Sequence, residues 1–283
     1  MAPVTWRMSV ATTLRDAGCV FAEEEAQLLI EAATSPDHLD YMVDQRVKGM
    51  PLEHILGWVD FCGSRMVVEP GVFVPRRRTE FLVRQAAKIA RPGAVVVDLC
   101  CGSGAIGAAL SDLLGSCELY AADIDPAAVS CARKNVEPRG GHVFEGDLYD
   151  ALPLELRGRV DVVLANAPYV PTGSIGMMPP EARLHEPMVA LDGGTDGLDV
   201  QRRVAEHAAE WLSPGGCLLI ETSEDQAPET ARIMDQSGLR ARVVTDDHLD
   251  ATIVLGIVQT GRQEEARDQS AFDPKNAPFH GLS

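Results

Sequence analysis

The sequence contains no apolar run long enough to cross a membrane, and it does not begin with the basic-then-apolar pattern of a secretory signal. A transmembrane helix needs roughly 18 or more consecutive apolar residues. We therefore expect a soluble, cytoplasmic protein. Its 283 residues, of which 46% are hydrophobic, are enough for one large domain or for a medium domain with a small one attached.

Cysteine pairs of the Cys-x-x-Cys type are also absent, and no histidine stands at ligand-like spacing from a cysteine. The cysteines number seven, and the chain is too long to be a small disulfide-stapled domain. An odd count in a chain of this size favours reduced thiols. We therefore expect neither a disulfide framework nor a metal site.

Basic residues are scarce: 25 lysines and arginines oppose 42 aspartates and glutamates, which gives a formal net charge of -17. Such a surface repels phosphate backbones, so we expect no direct binding to nucleic acid. The densest basic stretch is Arg76-Arg77-Arg78. It is the candidate for a local site that meets an acidic or phosphate-bearing partner.

The chain divides into four parts by pattern, and it contains no internal repeat. Apolar residues at helical spacing predict a small helical domain over residues 1–50. Short apolar runs broken by Gly and Pro predict a β-hairpin linker over 51–75. The main domain follows over 76–260, and the polar, aperiodic residues 261–283 are expected to form a flexible tail.

Strands and helices alternate through the main domain. The predicted strands are 94–99, 118–122, 143–145, 160–165, 217–221, 240–245 and 252–259, and the predicted helices are 105–114, 126–135, 198–212 and 228–237. This alternation is typical of a doubly wound α/β fold with a mostly parallel sheet. The last two strands leave no room for a crossover helix, so we expect them to be antiparallel.

Three predicted strands end in residues suited to a nucleotide. The first runs through Asp98 into a turn with Gly102 and Gly104, where the backbone can approach a ligand and a helix offers free N–H groups. The second ends at Asp123, about 20 residues after the turn, where a carboxylate can accept from ribose hydroxyls. The third ends at Asp147, which could accept from an adenine amino group. Together these strand ends favour a ligand that contains adenosine.

Two adenosine cofactors fit this pattern. Gly102, Gly104 and Gly107 spell the G-x-G-x-x-G of dinucleotide sites, so the letters alone do not dismiss NAD. Asp98, however, suits a cationic group better than a pyrophosphate. S-adenosylmethionine carries such a charge, and it is therefore the preferred cofactor.

The fourth strand ends in Asn166-Ala167-Pro168-Tyr169. A carboxamide nitrogen is a poor nucleophile because its lone pair is delocalised into the carbonyl. The Asn166 side-chain oxygen and the Ala167 carbonyl could accept both N–H bonds of a substrate amide and aim its nitrogen at a methyl group. Tyr169 would pack on the planar amide. The same residues would also suit a turn that merely ends a strand.

Residues 50 to 258 resemble the PrmC/HemK-type protein-(glutamine-N5) methyltransferases, which methylate the glutamine of the Gly-Gly-Gln motif in peptide release factors. Asn-Ala-Pro-Tyr is similar to the family signature N-P-P-Y. The other matching motifs are Pro-Leu-Glu-His-Ile-Leu-Gly at 51–57, Phe-Val-Pro-Arg at 73–76, Gly-Asp-Leu at 146–148, His-Glu-Pro at 185–187 and Leu-Asp-Gly-Gly-Thr-Asp-Gly-Leu at 191–198.

The resemblance implies a class I S-adenosylmethionine-dependent methyltransferase: a Rossmann-like, seven-stranded sheet whose last strand is antiparallel, with a small helical N-terminal domain that recognises the substrate. It implies methyl transfer to a protein glutamine without a metal. The residues it implies are Asn166, Ala167, Pro168 and Tyr169 for catalysis; Asp98, Cys100, Gly102, Gly104, Asp123, Asp147, Leu148 and Asn166 for the cofactor; and Arg76, Arg77, Arg78, Thr79 and Glu186 for the substrate. Glu221 belongs to the same motif set without an assigned role.

Three departures from the family pattern bear on this expectation. Ala167 replaces a proline, Cys100 replaces the first glycine of the turn, and Arg77 and Arg78 replace a proline and an acid. The carbonyl of Ala167 remains, so we expect the amide chemistry to persist. The arginines bear on the choice of partner more than on the reaction.

The expected acceptor is a protein glutamine in a peptide release factor, methylated by a monomeric enzyme with no membrane partner. Two alternatives stay open: N-methylation of a small molecule or of a nucleobase amino group, and a catalytically degenerate fold that only binds. The acidic strand ends together with Asn166 and Tyr169 argue against degeneration.

Overall fold

A computed structural model describes residues 4–259, and the predicted tail at 261–283 lies outside the described residues. The helices are α1 (Val4–Asp16), α2 (Ala22–Ala32), α3 (Pro36–Val47), α4 (Leu52–Leu56), α5 (Glu80–Ile89), α6 (Ala105–Leu114), α7 (Pro126–Val136), α8 (Pro180–His185), α9 (Asp199–Trp211) and α10 (Ala227–Gln236). The strands are β1 (Trp58–Phe61), β2 (Ser64–Val67), β3 (Ala94–Leu99), β4 (Cys117–Asp123), β5 (His142–Glu145), β6 (Val160–Ala165), β7 (Leu212–Thr222), β8 (Leu239–Asp246) and β9 (Ala251–Val258). No helix within residues 4–259 is long and apolar enough to cross a membrane.

The N-terminal helices pack around an apolar cluster of their own, separate from the clusters of the main sheet. Its buried residues include Leu14, Leu29, Leu39 and Met42 from α1, α2 and α3. The apolar side chains of α4 (Leu52, Ile55 and Leu56) also pack against this cluster. We therefore propose that the helical domain includes α4 and ends at residue 56 rather than at residue 50.

The hairpin β1–β2 links the helical domain to the main sheet. Phe61 pairs with Ser64 across a two-residue turn, in which Cys62 and Gly63 both have positive φ (51° and 80°). Asn135 of α7 holds this hairpin: its Oδ1 accepts from the Val67 N–H, and its Nδ2 donates to the carbonyls of Val67 and Ser103. A single buried amide thus ties the hairpin to the turn that follows β3.

The seven-stranded sheet has the order β5-β4-β3-β6-β7-β9-β8. All neighbouring pairs from β5 to β7 are parallel, and β9 runs antiparallel to both β7 and β8. This confirms the predicted mostly parallel sheet with an antiparallel last strand. The strand order reverses between β3 and β6, and ligands in doubly wound folds bind at such a switch point, beside the carboxyl ends of the strands.

Helices cover both faces of the sheet, so its central strands are buried throughout. All six residues of β3 are buried, which explains why five of them are apolar; the sixth is Asp98. Strand β7 begins at residue 212, five residues before the predicted start. Its pairing with β6 is irregular there, and a Cβ at Gly216 would lie 2.8 Å from the Val160 carbonyl oxygen. The sequence Ser-Pro-Gly-Gly, which no predicted element included, therefore forms the irregular first part of the strand.

Candidate active site

A cavity of about 620 Å³ opens beside the carboxyl ends of β3, β4, β5 and β6. Most predicted site residues lie on its wall: Arg76, Arg78, Thr79, Cys100, Gly102, Asp123, Asp147, Leu148, Asn166, Ala167, Pro168, Tyr169 and Glu186. Asp98, Gly104 and Arg77 are not among the residues that line the cavity. The fold therefore brings four separate strand ends together, as the parallel topology requires.

The two glycines of the turn have different roles. Gly102 has φ +55°, and a Cβ there would meet no protein atom within 4 Å, so the open space beside it belongs to the cavity. Gly104 has φ +74°, and a Cβ there would lie 2.8 Å from Val136 Cγ2 and 3.1 Å from Ala132 Cβ. Gly104 thus permits close packing of α6 on α7, and the prediction that it contacts the cofactor is corrected: it supports the turn from behind.

Asp98 also lies behind the turn rather than in the cavity. Its side chain is fully buried, its Oδ2 accepts from the Gly107 N–H at 2.8 Å, and its Oδ1 has no hydrogen-bond partner within the described residues. Burial raises the pKa of Asp98 from its ordinary 3.8 to about 8, although the Gly107 bond acts in the opposite direction. The structure therefore does not support the predicted direct contact between Asp98 and a cationic ligand.

Protonation of Asp98 should make unfolding depend on pH. Because its pKa is about 8 in the folded protein and 3.8 ordinarily, the folded state binds the additional proton between these values. The free energy of unfolding should then fall as pH rises from about 4 to about 8, by up to about 1.4 kcal/mol per pH unit. Asp98→Asn should flatten this part of the profile, as measured by urea unfolding at pH 5, 6.5 and 8. An unchanged slope would contradict a protonated Asp98.

Asp123 is held by the turn itself. Its Oδ2 accepts from the Gly102 N–H at 2.8 Å, and its Oδ1 accepts from the Asp125 N–H at 3.0 Å. Burial raises the pKa of Asp123, and these two backbone bonds act in the opposite direction. The carboxylate therefore faces the cavity in a fixed orientation at the end of β4.

Asp147 has a partner that the sequence did not point to. The Arg203 Nη2 in α9 donates to the Asp147 Oδ2 at 2.6 Å, and both side chains line the cavity. Arg203 lies 56 residues from Asp147 and belongs to none of the motifs. No sequence pattern could have found it, because only the packing of α9 against the sheet brings the two together.

Cys100 occupies the position where the family pattern has a glycine. It has φ +53°, a conformation that costs a side-chain-bearing residue roughly 1–2 kcal/mol. Burial raises the pKa of its thiol, and the neighbouring Asp123 raises it further. The thiol is therefore uncharged and unreactive at neutral pH, and it serves as a packing group at the cavity wall.

This part of the cavity fits the cofactor that the sequence predicts. Gly102 leaves space that any other side chain would fill, and the Ser103 hydroxyl, buried in the wall, has no hydrogen-bond partner within residues 4–259. Asp123 and Asp147 add two fixed carboxylates on the neighbouring strand ends. The open backbone at Gly102, an unpartnered hydroxyl and two carboxylates together suit the polar groups of an adenosine ligand.

The Asn-Ala-Pro-Tyr loop forms the other side of the cavity. Asn166 is half-buried, whereas Ala167 and Pro168 are buried. The Asn166 side-chain amide and the Ala167 carbonyl make no hydrogen bond to any residue that the structure describes. Both acceptors are therefore available to a ligand in the cavity that Asn166 and Ala167 line.

The segment Leu-Asp-Gly-Gly-Thr-Asp-Gly-Leu, at 191–198, holds this loop in place. The Val170 N–H donates to the Leu191 carbonyl at 3.0 Å, and the Gly193 N–H donates to the Val170 carbonyl at 2.9 Å. A Cβ at Gly193 would lie 2.7 Å from the Pro168 carbonyl oxygen. The glycines of this segment thus permit a close backbone approach to the Asn-Ala-Pro-Tyr loop.

Gln226 completes this support, although no motif in the sequence points to it. Its Nε2 donates to the carbonyls of Tyr169 and Asp196, each at 3.0 Å.

His54, from the Pro-Leu-Glu-His motif, supports the opposite wall by a 2.9 Å bond to the Val72 carbonyl. Burial lowers the pKa of His54, so it acts as a neutral structural group.

Two arginines of the Arg76-Arg77-Arg78 stretch are neutralised by buried carboxylates. Arg76 pairs with Glu186, which also accepts from the Val74 N–H at 3.4 Å. Arg78 pairs with Glu221 at 3.4 Å. Arg77 is exposed and is not among the residues that line the cavity. The three side chains therefore do not form a common basic surface, which weakens the expected site for a phosphate-bearing partner.

Comparisons with known proteins agree with this geometry. The family described as the methyltransferase small domain matches residues 64–178. A release factor glutamine methyltransferase from Geobacter sulfurreducens is 39% identical over 199 residues, which cover 70% of this chain and 69% of that protein. A 4-amino-L-phenylalanine/4-methylamino-L-phenylalanine methyltransferase from Streptomyces pristinaespiralis is 35% identical over 214 residues, 73% of each protein.

Solved structures share the fold. A 16S rRNA methyltransferase from Thermus thermophilus, in complex with AdoMet and guanosine, superposes with a TM-score of 0.53 at 18% identity, over 71% of this chain and 50% of that one. The predicted class, an S-adenosylmethionine-dependent methyltransferase, is confirmed by the fold and the relatives together. From the identity and coverage of these relatives, the chain belongs to the release factor glutamine methyltransferase family.

Proposed function

We propose that this protein transfers the methyl group of S-adenosylmethionine to the side-chain amide nitrogen of a protein glutamine in a release-factor-type substrate. The observation that carries the proposal is the pair of free acceptors, the Asn166 side-chain oxygen and the Ala167 carbonyl, on the wall of the cavity that also contains Gly102 and Asp123. The names of relatives such as the Geobacter sulfurreducens protein support the choice of acceptor.

On the cofactor side, Gly102, Ser103, Asp123 and Asp147 would hold S-adenosylmethionine by a close backbone approach, a hydroxyl and carboxylates. When bound, this cofactor supplies an electrophilic methyl group on a cationic sulfur. Leu148 lines the same side and excludes water from it. These residues bind and orient, and they take no part in proton transfer.

On the acceptor side, Asn166 and the Ala167 carbonyl accept the two N–H bonds of a carboxamide and so fix its plane. A nitrogen that is fixed in this way reacts in line, and correct orientation alone is worth several kcal/mol of the barrier. Tyr169 packs against the planar amide as the wall of the pocket. The amide nitrogen becomes acidic once it is methylated, and its proton passes to water.

The proposal also covers the oligomeric state, the location and the class of substrate. It places a monomeric enzyme in the cytoplasm, where it acts on a protein and not on nucleic acid. The net charge of -17 supports a protein acceptor, because an acidic surface repels a phosphate backbone.

Incubation with radiolabelled S-adenosylmethionine and separate acceptors tests the proposal. The acceptors are a purified peptide release factor, the same factor with its Gly-Gly-Gln glutamine changed to alanine, 4-amino-L-phenylalanine, and oligonucleotides. We expect label in the unaltered release factor alone. Label in the amino acid or the oligonucleotides, with none in the release factor, would overturn the proposed acceptor. It would not overturn methyl transfer from S-adenosylmethionine. Binding of S-adenosylmethionine in calorimetry with no label in any acceptor would favour a binding module.

A further inference from the structure

We propose that Arg78 is a positioning residue: it fixes the Tyr169 ring through the ring's hydroxyl, while the buried Glu221 holds Arg78 in place. The inference deepens the proposed function and rests on it, since it concerns how the acceptor wall is held. The Arg78 Nη2 donates to the Tyr169 hydroxyl at 2.7 Å, and the Arg78 Nε donates to the Glu221 Oε1 at 3.4 Å. Arg78 lies in the short 3-10 turn before α5, Tyr169 lies in the loop after β6, and Glu221 lies near the end of β7.

The buried carboxyl group of Glu221 explains why the cationic side chain of Arg78 lies beside it. Only 3% of its side chain is exposed, and its Oε2 has no hydrogen-bond partner within residues 4–259. A buried carboxylate is costly unless an opposite charge lies beside it. Burial raises the pKa of Glu221, whereas Arg78 acts to lower it. Arg78 therefore offsets part of the cost of burying Glu221, and Glu221 in turn limits the motion of a side chain that is otherwise 43% exposed.

Tyr169 is the residue on which this pair acts. Its own bond to the Glu221 Oε1 is long, at 3.5 Å, so the shorter bond from Arg78 fixes the hydroxyl. The main chain of Tyr169 is held separately by Gln226. The ring is thus fixed at both ends, and its face forms the wall against which a planar amide packs. Displacing the ring should disturb the orientation of the acceptor and leave the cofactor side unchanged.

Arginine has the geometry that this arrangement needs. A guanidinium presents several N–H donors in a rigid fork, so one side chain can bond to a carboxylate and to a hydroxyl at once, whereas an ammonium is a compact point charge. The family pattern has an acid at this position, and an acid cannot donate both bonds. Arg78 is therefore a feature of this chain rather than of the pattern it resembles.

A double-mutant cycle of Arg78→Lys and Tyr169→Phe tests the inference. Arg78→Lys keeps a charge beside Glu221, so the protein should still fold. We expect each single change to lower kcat about tenfold, the double change to lower it no further, and Kd for S-adenosylmethionine to stay within about twofold. Arg84→Lys in α5, where the half-exposed Arg84 pairs with Glu80, is the matched control and should leave kcat unchanged. Effects that multiply in the double variant would overturn the inference.

A second measurement works without an acceptor, so it separates this inference from the proposed function. The chain contains four tyrosines, and ring-labelled protein lets the Tyr169 resonance be assigned from its loss in Tyr169→Phe. We expect Arg78→Lys to shift and broaden this resonance, and Arg84→Lys to leave it unchanged. If the resonance does not respond to Arg78→Lys, the inference fails even if the release factor is methylated. If it responds and no acceptor is labelled, the proposed function fails alone.

Discussion

Asn166→Ala should lower kcat by about 100- to 1,000-fold and leave the affinity for S-adenosylmethionine nearly intact. The side chain makes no hydrogen bond within the described part of the chain, so its removal should leave the fold undisturbed. It provides one of the two acceptors that orient the substrate amide, and loss of one such preorganised group typically costs this much. Single-turnover transfer of label and calorimetric Kd measure the two effects separately.

Asn166→Asp is the matched variant for this prediction. A carboxylate has the same shape and keeps an acceptor oxygen where the Asn166 Oδ1 stands, so it should retain more activity than the alanine variant. Equal activity of the two variants would show that the acceptor oxygen is not what matters. A collapse of cofactor affinity in Asn166→Ala would contradict the assignment of this residue to the acceptor side.

Gly102→Ala should mainly weaken cofactor binding and Gly104→Ala should mainly lower stability, although the two glycines are only two residues apart. A Cβ at Gly102 points into open cavity space, so we expect at least a tenfold loss of affinity for S-adenosylmethionine and a stability loss of about 1 kcal/mol from the positive φ. A Cβ at Gly104 meets Val136 and Ala132, so strain and overpacking should together cost roughly 2–4 kcal/mol of stability.

Calorimetric binding and urea unfolding on both variants decide this prediction. Each variant serves as the control of the other, because both add one methyl group at a residue with positive φ. The result that would contradict it is a Gly102→Ala variant that binds S-adenosylmethionine as tightly as the unaltered protein. A Gly104→Ala variant as stable as the unaltered protein would equally contradict the packing role.

The glycine turn shows how far the sequence alone could go. Its spacing correctly placed Gly102 beside the cavity, but the same letters could not separate Gly102 from Gly104, because the difference lies in which neighbour each Cβ would meet. Asp98 was misplaced for a related reason. A residue at a strand end can face the ligand or the core, and the register of α6 above β3 turned Asp98 toward the Gly107 N–H.

The partners of the site residues were also beyond the sequence. Arg203 reaches Asp147 across 56 residues, and Arg78 reaches Glu221 across 143. Neither separation follows a helical or a strand period. These pairs arise only when α9 packs on the sheet and when α5 lies beside the end of β7.

The sequence by itself determined the alternation of strands and helices, the parallel sheet, and the chemistry gathered at its carboxyl edge. These follow from local periodicity and from motifs that are each contiguous in the chain, so neighbouring residues suffice to specify them. The tertiary structure alone decided which side chains reach the cavity and which support it from behind. That choice depends on the packing of distant elements, which buried Asp98, freed the acceptors of Asn166 and Ala167, and placed Arg78 between Tyr169 and Glu221.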